Sequence, residues 1–153
     1  MTIIVHLLSI KKILVAVDGS KPSFNASNYA IDLAKKHDAE LVVLDIVSLV
    51  PSSQFEYANI GRMREIETTE TEKAQKEVDR VKQKAIENKV SVETAVLVKY
   101  TKVVKEIVEY AEQMKIDLIV IGSRGMTGIK KMLLGSVANG VVTYSHCPVL
   151  VVK

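Results

Sequence analysis

The chain has no tryptophan, two phenylalanines, three prolines and a single cysteine, Cys147, in 153 residues. No intramolecular disulfide can form, and a reducing cytoplasm is the expected compartment. With five tyrosines as the only other aromatics, the chain offers no stacking platform for the bases of a nucleic acid. Charge of one sign is missing too. The 21 Lys and Arg balance 18 Asp and Glu to a formal +3, and the basic residues are spread along the chain. That balance argues for no nucleic-acid partner and no membrane partner. No apolar stretch reaches the roughly 18 residues of a membrane span. The opening MTIIVHLLSIKK holds only a short apolar run, and its lysine pair follows that run, the reverse of a signal peptide. Residues 1–9 read as an extension: an extra edge element, a mobile arm or an early start codon. His6, His37 and His146 are scattered, so no metal cluster is expected.

What is present is an alternation of two patterns. Hydrophobic residues make up 48% of the chain and charged residues 25%, as in one globular domain with a sizeable core, here residues 10–153. Ile13–Val17 is a continuous apolar run, and further apolar-rich runs occur at Ala39–Val47, Val90–Val98, Asp117–Gly122 and Cys147–Lys153. They are the pattern of strands buried on both faces. Helical spacing separates them. In the first helical segment, after Ser20, it falls on Phe24, Ala26, Ala30, Leu33 and Ala34, with Pro22 in the first turn. A loop of about ten to fifteen residues beginning at Pro51 precedes a long charged helix, Arg64–Lys89. Its apolar stripe is Ala74, Val78, Val81 and Ala85. A third helix over Thr101–Lys115 turns Val104, Ile107, Val108, Ala111 and Met114 to one side, and Ser136–Ser145 forms a short fourth. The order βαβαβαβαβ predicts an α/β fold with parallel strands, right-handed crossovers and helices on both faces, a single doubly wound, five-stranded parallel sheet; its strand order is taken as 3-2-1-4-5. Ligands of such sheets sit at the strand carboxyl ends where the order reverses. That point lies between strand 1, which ends at Asp18, and strand 4, which ends at Gly122.

Four of the seven glycines fall in GSRGMTGIKKMLLGSV, residues 122–137. The spacing fits neither a Walker A loop nor G-x-G-x-x-G. Two readings remain open. The glycines could bring backbone N–H groups close to a phosphate, with Ser136 at a helix N-terminus and Arg124, Lys130 and Lys131 adding charge. Alternatively the stretch is only a connection, with Ser136 a plain N-cap.

Gly122-x-x-Gly125, nine further residues, then Gly135-Ser136 resembles the nucleotide-binding signature of the universal stress protein family. KKILVAVDGS, DLIVIGSRGMTGIKKMLLGSVA and SHCPVLVVK resemble the same family, so the likeness spans about residues 10–153. It implies a Rossmann-like adenine-nucleotide-binding fold and ATP as ligand, with Mg²⁺ on the phosphates. By resemblance, Gly122, Gly125, Gly135 and Ser136 would line the triphosphate. Asp18 would accept hydrogen bonds on the ribose or adenine side, and Ala16 and Val17 would lie along the nucleoside. Ile46 would pack on the adenine. Arg124, Gly128 and Val137 complete the expected lining, and Thr127 also stands at a place the family favours. Each residue also has a purely structural use: Asp18 as a cap of the first helix or in the Asp-Gly-Ser turn, Ile46 in the core. Two departures stand out: the N-terminal extension, and the connection Val98–Lys102, which lacks the glycine and proline usual in the family. There Tyr100 or Lys99 could cover part of a nucleotide, or Thr101 could serve as an N-cap.

Little marks an enzyme. Cys147 has no positioned base near it in sequence and reads as structural. Asp18 could hold Mg²⁺ through water, but hydrolysis also needs an oriented water and charge stabilisation, so at most slow ATP turnover is expected. Strand 5, at the sheet edge and apolar on both faces, is expected to pair with its twin through residues 148–152 in a homodimer. The resulting reading is a cytoplasmic ATP-binding stress or signalling protein whose nucleotide state modulates its interactions with protein partners. The alternatives are an ATP-using enzyme of the adenine-nucleotide fold and a nucleotide-free dimeric interaction module.

Overall fold

A computed structural model of the chain describes residues 9–50, 60–126 and 134–153. Five strands, β1 (Lys12–Ala16), β2 (Glu40–Ser48), β3 (Val92–Lys99), β4 (Leu118–Gly122) and β5 (Val149–Val152), form one parallel sheet. Their order is β3-β2-β1-β4-β5, the order expected. The connecting helices among the described residues are α1 (Lys21–His37), α2 (Ile60–Glu87), α3 (Val103–Gln113) and α4 (Ser136–Tyr144).

The strands alternate their side chains between two cores. Ile13 and Val15 of β1, with Leu41 and Val43 of β2, meet α1 and α2 through Ala26, Ala30, Ile31, Val78 and Val81. Leu14, Val42, Leu44 and Ile119 meet α3 and α4 through Ile107, Ala111, Ala138 and Val141 on the other face. The sheet is therefore covered on both sides, and burial of each large aliphatic side chain contributes roughly 1.5–3 kcal/mol. The stripe expected on α2 is the buried one: Ala74, Val78, Val81 and Ala85. The Arg80 guanidinium lies 3.9 Å from the centre of the Phe24 ring and ties α2 to α1.

Several boundaries differ from the sequence reading. The long helix starts at Ile60, ahead of Arg64, and stops at Glu87 instead of Lys89. Lys89 takes a left-handed conformation (φ 60°), and the Val90 N–H turns back to the Ala85 carbonyl, which ends the helix. β5 begins at Val149, two residues after Cys147. Thr101 is not the N-cap of α3. Lys102 holds that position without a side-chain cap, since its ammonium cannot accept from an N–H, and the Thr101 hydroxyl is engaged by Glu106. Nor does Ser136 cap α4. Gly135 is the cap residue and Ser136 is the first residue of the helix.

Candidate functional site

The carboxyl end of β1 is the origin of the site. After Val17 the chain turns sharply through Asp18-Gly19-Ser20. Gly19 has φ +78°, a conformation that glycine adopts without strain. Asp18 Oδ1 accepts from the Ser20 N–H at 3.0 Å, so Asp18 does hold the turn. Ser20, not Asp18, caps α1, with Ser20 Oγ accepting from the Ser23 N–H at 3.3 Å. Asp18 remains exposed, and its second oxygen faces Gly125: a Cβ on Gly125 would stand 2.8 Å from Asp18 Oδ2.

The end of β4 lies beside this turn. Gly122 packs directly on the first turn of α1, where a Cβ would come within 2.7 Å of the Pro22 carbonyl carbon and 2.8 Å of the Ser23 nitrogen. The approach that requires glycine here is therefore that of the protein's own backbone. Beyond it, Ser123 anchors both ends of the glycine-rich segment. Its N–H donates to the Val152 carbonyl at 2.7 Å, and its carbonyl accepts from the Gly135 N–H at 2.7 Å. The segment thus leaves β4 and returns to the same point, where α4 starts. The N–H groups of the first turn of α4 have no intrahelical acceptor, and the cap residue Gly135 brings no side-chain bond to them. They present partial positive charge at the mouth of the site.

These elements enclose a cavity of about 250 Å³. Ten of the residues expected at the site line it together: Ala16, Val17, Asp18, Ile46, Gly122, Arg124, Gly125, Gly135, Ser136 and Val137. Gly128, Thr127, Lys130 and Lys131 lie outside the described residues, as does the extension apart from Ser9. Tyr100 and Lys99 do not line the cavity. Tyr100 points to solvent at 62% exposure, and Lys99 pairs with Glu106 at 3.1 Å. Cys147 and His146 precede β5, and neither lines the cavity.

The cavity wall also includes residues that the sequence reading did not select. Leu44, Val103, Ile107, Ile121 and Ala138 make its apolar surface with Ile46, and Ser23 and Asp45 add polar groups. Asp45 is 7% exposed in the middle of an apolar strand. Burial pushes its carboxyl up to about 7, helped by the negative charges of Asp18, Glu77 and Glu70. The Ile46 N–H, which donates to it, offsets part of this rise. An acid, Asp45, set between apolar residues in the middle of ELVVLDIVS was the available signal. Glu106 is the other buried acid of this region, and the Thr101 hydroxyl and Lys99 ammonium hold its carboxyl below the usual range.

The arrangement is an apolar slot opening onto backbone donors, a helix N-terminus, an arginine and a carboxylate. It suits a planar apolar group joined to a polar, anionic one. Among the described residues, no three His, Cys, Asp or Glu side chains converge as a metal-binding set.

Comparison with known proteins agrees with this geometry. The profile of the universal stress protein family matches residues 9–153. The universal stress protein MJ0531 of Methanocaldococcus jannaschii is 41% identical over 143 residues, covering 94% of this chain and 82% of that protein. The solved structure of the universal stress protein UspA from Lactobacillus plantarum matches with a TM-score of 0.84 at 26% identity, over 94% of this chain and 98% of that one. A universal stress protein solved in complex with cAMP matches with a TM-score of 0.65 at 26% identity, over 95% of this chain and 98% of that one. The matched span takes in all five strands and every described residue of the cavity wall. This chain belongs to the universal stress protein family.

Proposed function

We propose that this protein binds an adenine nucleotide in the cavity at the carboxyl ends of β1 and β4, with ATP as the ligand. The observation that carries the reading is the convergence of Asp18, Gly125, Gly135 and Ser136 on one apolar-walled cavity at the point where strand order reverses. A relative of 26% identity crystallised with cAMP supports the adenine ring as the planar group. The base lies in the slot of Ile46, Val103 and Ile107. The ribose reaches Asp18. The phosphates lie along Gly125, Gly135 and the first turn of α4, where N–H groups meet anions. Mg²⁺ enters on the phosphates, with Asp18 as the exposed carboxylate of the cavity rim. The biological role is a nucleotide-responsive stress or signalling protein of the cytoplasm, acting as a homodimer through β5, with turnover of ATP slow or absent.

The test is isothermal titration of ATP with Mg²⁺ into nucleotide-free protein, beside a folded Gly125→Val, Ser136→Ala variant. At Gly125 the new side chain displaces the Asp18 carboxylate, and at Ser136 a hydroxyl beside the free N–H groups is removed. Native binding that the variant loses is the expected result. Equal heats from both proteins, or none from the native one, would defeat the reading.

A further inference from the structure

The connection from β3 to α3 is held by an unusual acid. Glu106 lies one turn into α3 at 7% exposure, while Glu109 and Glu112 on the same helix are exposed. One carboxylate oxygen accepts from the Thr101 hydroxyl, and the other is 3.1 Å from Lys99 Nζ. The last residue of β3 and one residue of the connection are thus fastened to the helix that follows. The end of β2 fastens the same two residues from the other side. Ser48 Oγ donates to the Thr101 carbonyl at 2.8 Å, and the Leu49 N–H donates to the Lys99 carbonyl at 2.8 Å. Lys99 is 42% exposed in this pair, so the ion pair itself adds little stability. What the bonds of Glu106 do is fix one arrangement of the connection. The arrangement fixed here is the first turn of α3, whose Val103 and Ile107 line the cavity together with Ile46.

We propose that Glu106 is a positioning residue for the ligand's base: by tethering Thr101 and Lys99 it sets the gap between Val103, Ile107 and Ile46 that receives the planar ring. The inference rests on the adenine-nucleotide reading of the cavity. Glu106 touches the connection and not the ligand. Its loss costs affinity by leaving the slot less preorganised. The phosphate end, built from β1, β4 and α4, does not depend on it.

The test compares ATP with inorganic tripolyphosphate as a competitor for the same site. Thr101→Val is the main variant, because Glu106 keeps its Lys99 partner and no buried charge is orphaned. Glu106→Gln is the second, since its amide oxygen can still accept from Thr101. Glu106→Ala removes both bonds. ATP affinity is expected to fall roughly tenfold in Thr101→Val and Glu106→Ala, about 1.4 kcal/mol, with tripolyphosphate affinity unchanged and Glu106→Gln in between. Amide hydrogen exchange over residues 103–107 of the ligand-free protein is expected to quicken in the same order. Native ATP affinity in all three folded variants would overturn the inference alone. So would equal losses for ATP and tripolyphosphate. A native protein that binds neither compound would instead overturn the nucleotide reading, and the inference with it.

Discussion

Replacing Asp45 by asparagine tests the electrostatics of the site without changing its shape. The Asp45 carboxyl titrates near 7 in the folded protein against 3.8 for an unperturbed one. The folded state therefore holds a proton that the unfolded chain has already released. Stability from this group is fully present below pH 3.8 and is lost as pH rises towards 7; above that the loss is constant. At about 1.4 kcal/mol per pH unit, the penalty on the ionised form is on the order of 4 kcal/mol. An asparagine amide is never charged, and its oxygen can still accept from the Ile46 N–H. Urea unfolding of both proteins near pH 4.5, 6 and 8 isolates the effect, because titrating groups that do not interact with Asp45 cancel in the difference. Asp45→Asn should change stability little at the lowest pH and raise it by on the order of 2–4 kcal/mol at the highest. A difference that stays flat with pH, or that favours the native protein at pH 8, would show that the carboxyl is not held out of solvent among other acids.

Three further outcomes follow from particular contacts. Gly122→Ala drives a Cβ into the backbone of Pro22 and Ser23, which cannot rotate away, so urea unfolding should show a loss of about 1–3 kcal/mol even without ligand. A variant as stable as the native protein would mean that β4 and α1 are not in such close contact. In solution, light scattering at micromolar concentration should give twice the 16.9 kDa of one chain, and a stable monomer would count against pairing through β5. Highly purified protein should turn over ATP more slowly than about 1 s⁻¹, and a rate within the ordinary enzyme range would return the ATP-using enzyme to consideration.

The strands were legible because a sheet covered on both faces demands continuous apolar runs, and Leu41–Leu44 or Ile119–Ile121 can be little else. Parallel strands followed from the alternation, and the site position from the switch-point rule applied to the order 3-2-1-4-5. What stayed hidden were effects that depend on neighbours from distant segments. Gly122 looked like part of a phosphate loop, yet the adjoining first turn of α1 already excludes a side chain there. Asp45 read as one polar residue in a strand, since only the fold brings Asp18 and the acids of α2 against it. Nothing in the sequence marks Glu106 as buried, because its partners Lys99 and Thr101 come from the end of β3 and the connection after it. The caps of α3 and α4 were displaced by one residue for a similar reason. Thr101 has a better partner than its own helix, and Gly135 is pulled into the cap position by the Ser123 carbonyl.

The central claim is that an adenine nucleotide occupies the cavity between β1 and β4. Amide chemical shifts of the isotope-labelled protein, followed as ATP and Mg²⁺ are added, test it most directly, because they report where binding occurs as well as whether it does. The account predicts saturable shifts grouped at residues 16–18, 44–46, 122–125 and 135–138, with α2 and the amino ends of the strands little changed. Shifts centred elsewhere, or none at millimolar ATP, would contradict it.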